Sequence, residues 1–207
     1  MSIIKLNNRG VKNVTSFGSL TSGSMTFISK TTISSPVSSV QITSGIDSTY
    51  KEYIFLLVNL HPNSNSEPDI KINFSADGGS NYNVAKTTTV FYADHNESGS
   101  SSGLQYLDVD LAQGTGGQYI GYNLEESDAD SSLSGIVHLF NPSDTTFVKH
   151  FMINLNMMHL EPQSNHYQIA GYCNTTSAIN AVNFTGEYSE GSSGNIDSGE
   201  IILYGIN

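Results

Sequence analysis

Four strand-like tracts separated by polar turns make up the C-terminal part of the chain. They are Phe147–Met157, Tyr167–Asn174, Ala178–Tyr188 and Glu200–Ile206. Short tracts of β-branched and aromatic residues with turn residues between them are typical of antiparallel sheets. A chain with this pattern is predicted to be an all-β protein, because no segment shows the periodicity of a helix.

The same pattern continues towards the N-terminus. Thr49–Leu60 is the strongest tract, and its centre, Ile54–Val58, is apolar on both faces, which indicates a strand covered on both sides. Asp69–Ser75 alternates apolar and polar residues, with Ile70 and Phe74 on the inward face. Roughly ten short strands at regular spacing predict a two-sheet, jelly-roll-like antiparallel sandwich.

Three polar segments are predicted to be outward-facing loops from their composition. They are Asn63–Pro68, Asp94–Gly103 and Glu125–Ser132. After the second of them, Leu104–Leu111 is predicted to be a strand with Asp108 and Asp110 on one face. We interpret these two carboxylates as surface charges, because glycosidase pairs come from facing elements at defined distances.

The N-terminal residues differ in charge from the rest of the chain. Residues 1–20 are predicted to form an extended docking arm, and residues 21–207 a β-sandwich domain. The whole chain has a net charge of −11, yet Lys5, Arg9 and Lys12 lie in the arm without an acidic residue among them. A basic arm on an acidic body suits docking onto an acidic surface, and a solvated tail is the alternative interpretation.

Charge and hydropathy exclude several classes of partner. A net charge of −11 with a single arginine argues against nucleic acid, because phosphate binding needs Lys and Arg. The longest apolar stretch, Ile54–Val58, is far too short to cross a bilayer, so no membrane partner is expected.

Cys173 is the only cysteine, which excludes an intrachain disulfide. The N-terminus lacks the apolar region of a secretory signal, and synthesis in the cytosol is expected.

The sequence contains no recognised catalytic motif. A nucleophile elbow, a phosphate-binding loop and a Rossmann glycine pattern are all missing, so the chain is predicted to be non-enzymatic and to need no cofactor. His150, His159, His166 and Cys173 have spacings of nine, seven and seven residues that would allow convergence on zinc from adjacent strands. Histidines without a metal are the favoured interpretation.

The acidic loop has a separate chemical interpretation. Asp128 and Asp130 follow two glutamates and supply the hard oxygen ligands that calcium prefers. The EF-hand spacing is missing, and a solvated acidic loop without metal is the favoured alternative.

Aromatic residues are the remaining candidates for binding. The chain has eleven Tyr, nine Phe and no Trp. An exposed Tyr beside Asn and Ser suits glycan stacking or a protein interface, because it offers an apolar ring with a polar tip. Five tyrosines near loops are predicted to make such contacts: Tyr82, Tyr92, Tyr106, Tyr119 and Tyr122.

Four stretches of the chain carry a resemblance to known proteins. They are Met1–Ser29, Ser134–Phe151, Gly171–Ile179 and Ser193–Ile206. These stretches resemble short virion structural proteins of tailed phages that infect marine bacteria and cyanobacteria. The resemblance implies a protein on the virion surface, most simply a capsid decoration (cement) protein. The alternative is a tail or head fibre module that recognises host-surface glycan.

The resemblance also implies partners and location. Trimers are common in such proteins, so a homotrimer is expected, with phage capsid or tail proteins as further partners. The basic arm would dock on the particle through Lys5, Arg9 and Lys12. A protein made in the host cytoplasm and released by lysis needs no secretory signal.

Overall fold

The computed structural model describes residues 25–63, 68–125, 129–188 and 193–207. The predicted docking arm, with Lys5, Arg9 and Lys12, lies outside the described residues. Within them the chain forms twelve β-strands and no helix. The strands are β1 Met25–Ile33, β2 Ser39–Ile42, β3 Glu52–Asn63, β4 Asp69–Ser75, β5 Lys86–Asn96, β6 Ser102–Tyr106, β7 Gln118–Gly121, β8 Leu133–Phe140, β9 Lys149–His159, β10 Gln163–Cys173, β11 Ala181–Glu187 and β12 Ser193–Ile206.

The strands form two antiparallel sheets joined through β12. The large sheet has the order β1-β12-β3-β8-β9-β10-β5-β6, and the small sheet has the order β2-β11-β4-β7. The start of β12 pairs with β11, and the remainder lies between β1 and β3. Because the chain crosses repeatedly between the sheets, as in jelly rolls, the predicted all-β sandwich is confirmed.

The inward faces of the two sheets meet in one apolar core. Phe55 of β3 contacts Phe184 of β11 with ring centroids 5.9 Å apart, and Phe74 of β4 contacts Phe151 of β9 at 4.9 Å. All four rings are almost completely buried. Burial of these inward residues drives the packing of the sheets, since sandwich cores form from the alternating inner positions of both layers.

One predicted loop is largely a hairpin. Asp94–Gly103 was expected to be irregular, but β5 continues to Asn96 and β6 begins at Ser102. The tight turn between them is closed by the Asn96 side chain, whose Oδ1 accepts from the Ser101 amide at 3.0 Å. Composition misled here because all five residues of β6 are exposed, so this edge strand shows no apolar alternation.

The strand predicted next to that loop is shorter than expected. Leu104–Leu111 was predicted to be a strand, but pairing with β5 stops at Tyr106. Asp108 and Asp110 therefore follow β6 and do not share a strand face, which corrects the prediction. The chain leaves the ladder at this point and runs towards the start of β5, where the Leu111 amide donates to Thr88 Oγ1 at 2.8 Å.

Candidate functional site

The five predicted contact tyrosines do not form a single site. Tyr119 lies on β7 of the small sheet and contacts Tyr122 edge-to-face at 5.4 Å, while the Lys71 ammonium lies 3.9 Å above the Tyr119 ring. Tyr92 is half-buried at the other sheet, where it stacks on Tyr167 with ring centroids 5.2 Å apart. These three tyrosines therefore contribute mainly to packing.

The remaining two tyrosines differ from each other. Tyr82 is half-buried in the segment before β5, and its hydroxyl has no hydrogen-bond partner among the described residues. Burial raises the pKa of this phenol. Tyr106 is 62% exposed and donates a hydrogen bond to the Asp110 carboxylate. Of the five, Tyr106 is the one that presents its ring openly to solvent.

The predicted metal ligands do not come together either. His150 and His166 are exposed on the outward sides of β9 and β10, whereas Cys173 is buried on the inward side. Asp128 lies outside the described residues, and Asp130 is exposed in a turn. In the described part of the chain, no three His, Cys, Asp or Glu side chains are grouped closely enough to hold a metal ion.

The outward surface of the large sheet, here called the outer face, carries the most exposed apolar side chains. Its members alternate with core residues along β3, β5, β8, β9, β10 and β12, and the edge strands β1 and β6 extend it. Large apolar residues on this face with at least 39% of their area exposed are Met25, Phe27, Phe91, Leu104, Tyr106 and Met152. Such a surface is not explained by the folding of one sandwich.

Strand register arranges the outer face into mainly apolar rows that cross the sheet. One row consists of Phe27, Tyr204, Ile54, His138, Met152 and Ala170. The next row consists of Ile202, Leu56, Ile136, Asn154, Gln168, Phe91 and Tyr106. Side chains directly opposite on neighbouring strands contact each other, so apolar residues cover most of both rows, with the polar side chains of His138, Asn154 and Gln168 among them.

A groove with a volume of about 460 Å³ opens in the middle of this face. Phe91, Phe140 and Met152 give it apolar walls, and Asn154 and Gln168 add amide groups. A second depression beside it shares Phe140 and Met152 and extends towards the start of β5. Grooves with mainly apolar walls and a few fixed polar groups are the usual form of a binding site.

One hydrogen-bonded pair, Glu52 and His138, lies at the side of the groove. Glu52 Oε1 lies 2.5 Å from His138 Nδ1, and the His138 ring stacks on Phe140 with centroids 6.0 Å apart. About a quarter of the Glu52 side chain remains exposed, with 24% of its area accessible. The groove therefore combines apolar walls with a partly exposed carboxylate at one side, an arrangement suited to binding.

A buried cluster of Lys86, Cys173 and Lys149 is a second unusual feature. The three residues are neighbours across β5, β10 and β9, and each is fully buried. Lys86 Nζ donates to the carbonyls of Val84 and Gly116 at 3.0 and 2.6 Å. Desolvation lowers the Lys86 pKa to about 8 and raises the Cys173 pKa to about 12, so the thiol stays protonated and is a poor nucleophile.

The opposite lysine of this cluster is held in the same way. Lys149 Nζ donates to the carbonyls of Phe147 and Thr175 at 2.9 and 3.2 Å, and desolvation lowers its pKa. Sequence alone does not indicate these buried lysines, because Lys is rarely buried and both begin their strands beside polar turns. Through these hydrogen bonds the two lysines hold the neighbouring loops in place at one end of the sandwich. The cluster is separate from the groove.

Comparisons with known proteins give no family for this chain. No family model matches it, and neither does any curated protein or solved structure. None of the described residues belongs to a helix long and apolar enough to cross a membrane.

Proposed function

We propose that this chain is a binding and structural protein that acts through its surface and not through catalysis. More particularly, we propose a structural protein of a tailed-phage virion, of the capsid-decoration type. The observation that carries the proposal is the outer face, which exposes large apolar residues of β1, β5, β6 and β9. Soluble monomers rarely expose such a surface unless a partner covers it.

The composition of the outer face supports a protein partner. Met152 and Met25 are about half exposed, and flexible thioether side chains are common at surfaces that bind protein. Phe91 and Tyr106 are cross-strand neighbours that add aromatic area to the same surface. In the proposed assembly, the outer face contacts capsid or tail proteins or the other copies of a homotrimer. Lys5, Arg9 and Lys12 dock the N-terminal arm on the particle.

Locating the chain on intact particles tests the proposal directly. A cryo-EM map is expected to contain this sandwich at repeated positions over the capsid lattice. Density confined to the tail or to fibre tips would instead support the fibre alternative. A map of complete particles without this chain would refute both forms of the virion proposal.

Variants of the outer face test the role of that surface. Met152→Glu and Phe91→Glu place a charge among apolar neighbours, and each is expected to weaken particle binding roughly tenfold or more, about 1.4 kcal/mol. Phe147→Glu is the matched control, because Phe147 is 69% exposed but lies in the turn before β9. Co-sedimentation with particles that lack the protein measures the effect. Equal losses in all three variants would contradict a specific role of the outer face.

Host-glycan recognition by a fibre module is the second candidate function. It is favoured by the amides of Asn154 and Gln168, which lie in a groove beside the aromatic ring of Phe91. Tyr106 extends the same surface. Tyr106→Ala is expected to weaken glycan binding severalfold on an array of host-surface glycans, since packing of the apolar face of a sugar on the aromatic ring is lost. Deletion of the arm separates the roles, because glycan binding would survive the loss of particle association.

A further inference from the structure

Strand β3 is apolar on both sides, but the fold buries only one of them completely. Phe55 and Leu57 point into the core and are fully buried, whereas Leu56 and Val58 on the outer face remain partly exposed. Antiparallel sheets with one face in water normally alternate apolar and polar residues along each strand. An apolar outward side therefore indicates a strand that a partner covers in the assembled state. The proposed function leaves open which partner this is.

The outer face carries little charge in a strongly acidic protein. The chain has 19 Asp and Glu residues and a net charge of −11, yet the two rows that cross the face contain neither residue type. Lys30, opposite Ile202 at the end of one row, is paired with Glu200 at 2.6 Å. The carboxylate that lines the groove, Glu52, is hydrogen-bonded to His138. A cationic partner would be drawn to the acidic surfaces elsewhere, whereas two copies of this chain repel each other least when their outer faces meet.

The outer face is large enough for a stable contact between two copies. Its strands lie about 4.8 Å apart, and β8 and β9 extend over 8 and 11 residues at roughly 3.4 Å each. The face therefore measures roughly 34 by 30 Å, on the order of 1,000 Å². A standard protein interface buries about 800 Å² on each partner, so this face can supply all of it. The exposed Met, Phe and Tyr side chains are of the types enriched at the centre of such interfaces.

A projecting ring and the groove lie at the same height on the face. Tyr106 of the edge strand β6 is 62% exposed, and it belongs to the same row as Phe91, Gln168 and Asn154. Those three residues line the groove, which is centred near β9, three strands or about 14 Å from β6. A two-fold axis that lies in the plane of contact, parallel to the strands and between β10 and β5, brings each Tyr106 over the groove of the other copy. Contacts about such an axis come in equal pairs.

We propose that two copies of the chain pair through their outer faces about this two-fold axis. The Tyr106 ring of each copy enters the groove of the other, where Phe140 and Met152 supply apolar walls. Phe91 lies beside the axis and packs against Gln168 of the second copy. The pairing deepens the proposed function, since it rests on the outer face as a contact surface and names its partner. A face covered in this way has no room for a third copy, so a dimer is predicted in place of the expected trimer.

The mass of the purified chain in solution tests the pairing. Light scattering after size exclusion is expected to give twice the mass of one chain, and sedimentation equilibrium gives the dissociation constant. Met152→Glu places a carboxylate in the groove, and Tyr106→Lys places an ammonium on the projecting side chain. Each is expected to weaken the dimer tenfold or more, because both equivalent contacts are damaged. Phe147→Glu, outside the outer face, is the matched control and should leave the dimer unchanged.

A mixture of the two variants tests which residues meet. In a dimer of one Met152→Glu chain and one Tyr106→Lys chain, one contact joins the new carboxylate to the new ammonium, and the other contact is unaltered. At low salt the mixed dimer should therefore be at least tenfold tighter than the dimer of either variant alone. Circular dichroism shows whether each variant retains its strands, and recovery in the mixture shows that both variants remain folded.

Four results would overturn the inference. A monomer at the highest soluble concentration would show that the outer faces do not pair. A dimer that Met152→Glu and Tyr106→Lys leave intact would use another surface, and a trimer would contradict the two-fold arrangement. A mixed dimer no tighter than the dimers of the single variants would show that Tyr106 does not meet the groove.

These measurements use the purified chain without particles, which separates the pairing from the virion proposal. A chain that is monomeric in solution but present on the particle would overturn the pairing alone. A dimer that is missing from complete particles would overturn the virion proposal and leave the pairing in place.

Discussion

Backbone carbonyls replace water around the two buried ammonium groups at one end of the sandwich. Lys86 donates to Val84 and Gly116, and Lys149 donates to Phe147 and Thr175. Each lysine thereby fixes the segment next to its strand, while desolvation disfavours its charge. The lowered pKa of about 8 for Lys86 makes this cost measurable near neutral pH.

Replacing Lys86 by methionine should change how stability depends on pH. In the unfolded chain Lys86 keeps its proton up to its ordinary pKa of 10.5, whereas in the folded chain its pKa is about 8. Between these values the unfolded chain binds more protons, so raising the pH stabilises the native protein. We expect the wild type to gain at most about 3 kcal/mol relative to Lys86→Met across this window. Urea unfolding of both proteins at the two ends of this pH window measures the difference in free energy of unfolding. The same pH dependence in the wild type and in Lys86→Met would contradict the prediction.

Asp77 should affect stability at the opposite end of the pH scale. Hydrogen bonds from Asn81 and then Ser75 lower the Asp77 pKa from 3.8 to about 2. Its stabilising effect is therefore complete above the unfolded value and disappears as the pH falls through about 2. We expect Asp77→Asn to unfold at a lower temperature than the wild type at about pH 6, with the difference closing near pH 2. A difference that stays constant over this range would show that the carboxylate charge is irrelevant.

At the level of single elements, β8 and β9 approach each other closely at Gly135. A Cβ added there would lie 2.2 Å from Leu155 Cβ and 2.5 Å from the Asn154 carbonyl oxygen. Because the obstacle includes backbone, Gly135→Ala must push the strands apart and should cost about 2 kcal/mol or more. Gly116→Ala is the control, since no atom lies within 4 Å of the added Cβ. Thermal unfolding compares the melting temperatures of the two variants. Equal melting temperatures would contradict the close approach of β8 and β9 at Gly135.

Strands with a buried face were the predictable elements. Asp69–Ser75 was predicted from its alternation and is β4 with the same bounds, because its inward residues Ile70 and Phe74 are completely buried. The exposed strand β6 was missed in part, since a hairpin held mainly by backbone pairing leaves little trace in the sequence. The arm remains a prediction, as it lies outside the described residues.

The outer face was less predictable than the fold. Tyr106 was singled out by its residue type and does lie on this face, but Phe91 and Met152 were not. Alternation places Met152 and Ile153 on opposite sides of β9 without revealing which side is covered. Only the order and register of eight strands bring these residues together, and that long-range pairing is not encoded in any local pattern.

For the whole molecule, integrity depends on β12. Its residues Ile201 and Leu203 are almost completely buried, and the strand is paired with β1 on one side and β3 on the other. Removal of residues 200–207 should abolish the cooperative urea transition, because the lost burial and pairing exceed the roughly 5–15 kcal/mol that stabilises a domain. Removal of Asn207 alone, which is exposed beyond the strand, should leave the transition unchanged. A cooperative transition in the longer truncation would refute this role.

The central position of β12 also fixes the order of events as the protein forms. β12 is the last strand in chain order, yet it separates β1 from β3, and the side chains of Lys30 and Glu200 that meet there are 170 residues apart. The large sheet cannot close while the ribosome is still adding this strand. Pairings over such distances are slow, on the order of milliseconds to seconds. Until β12 has paired, the edges of β1 and β3 that it joins stay open, and the chain is most exposed to aggregation in that interval.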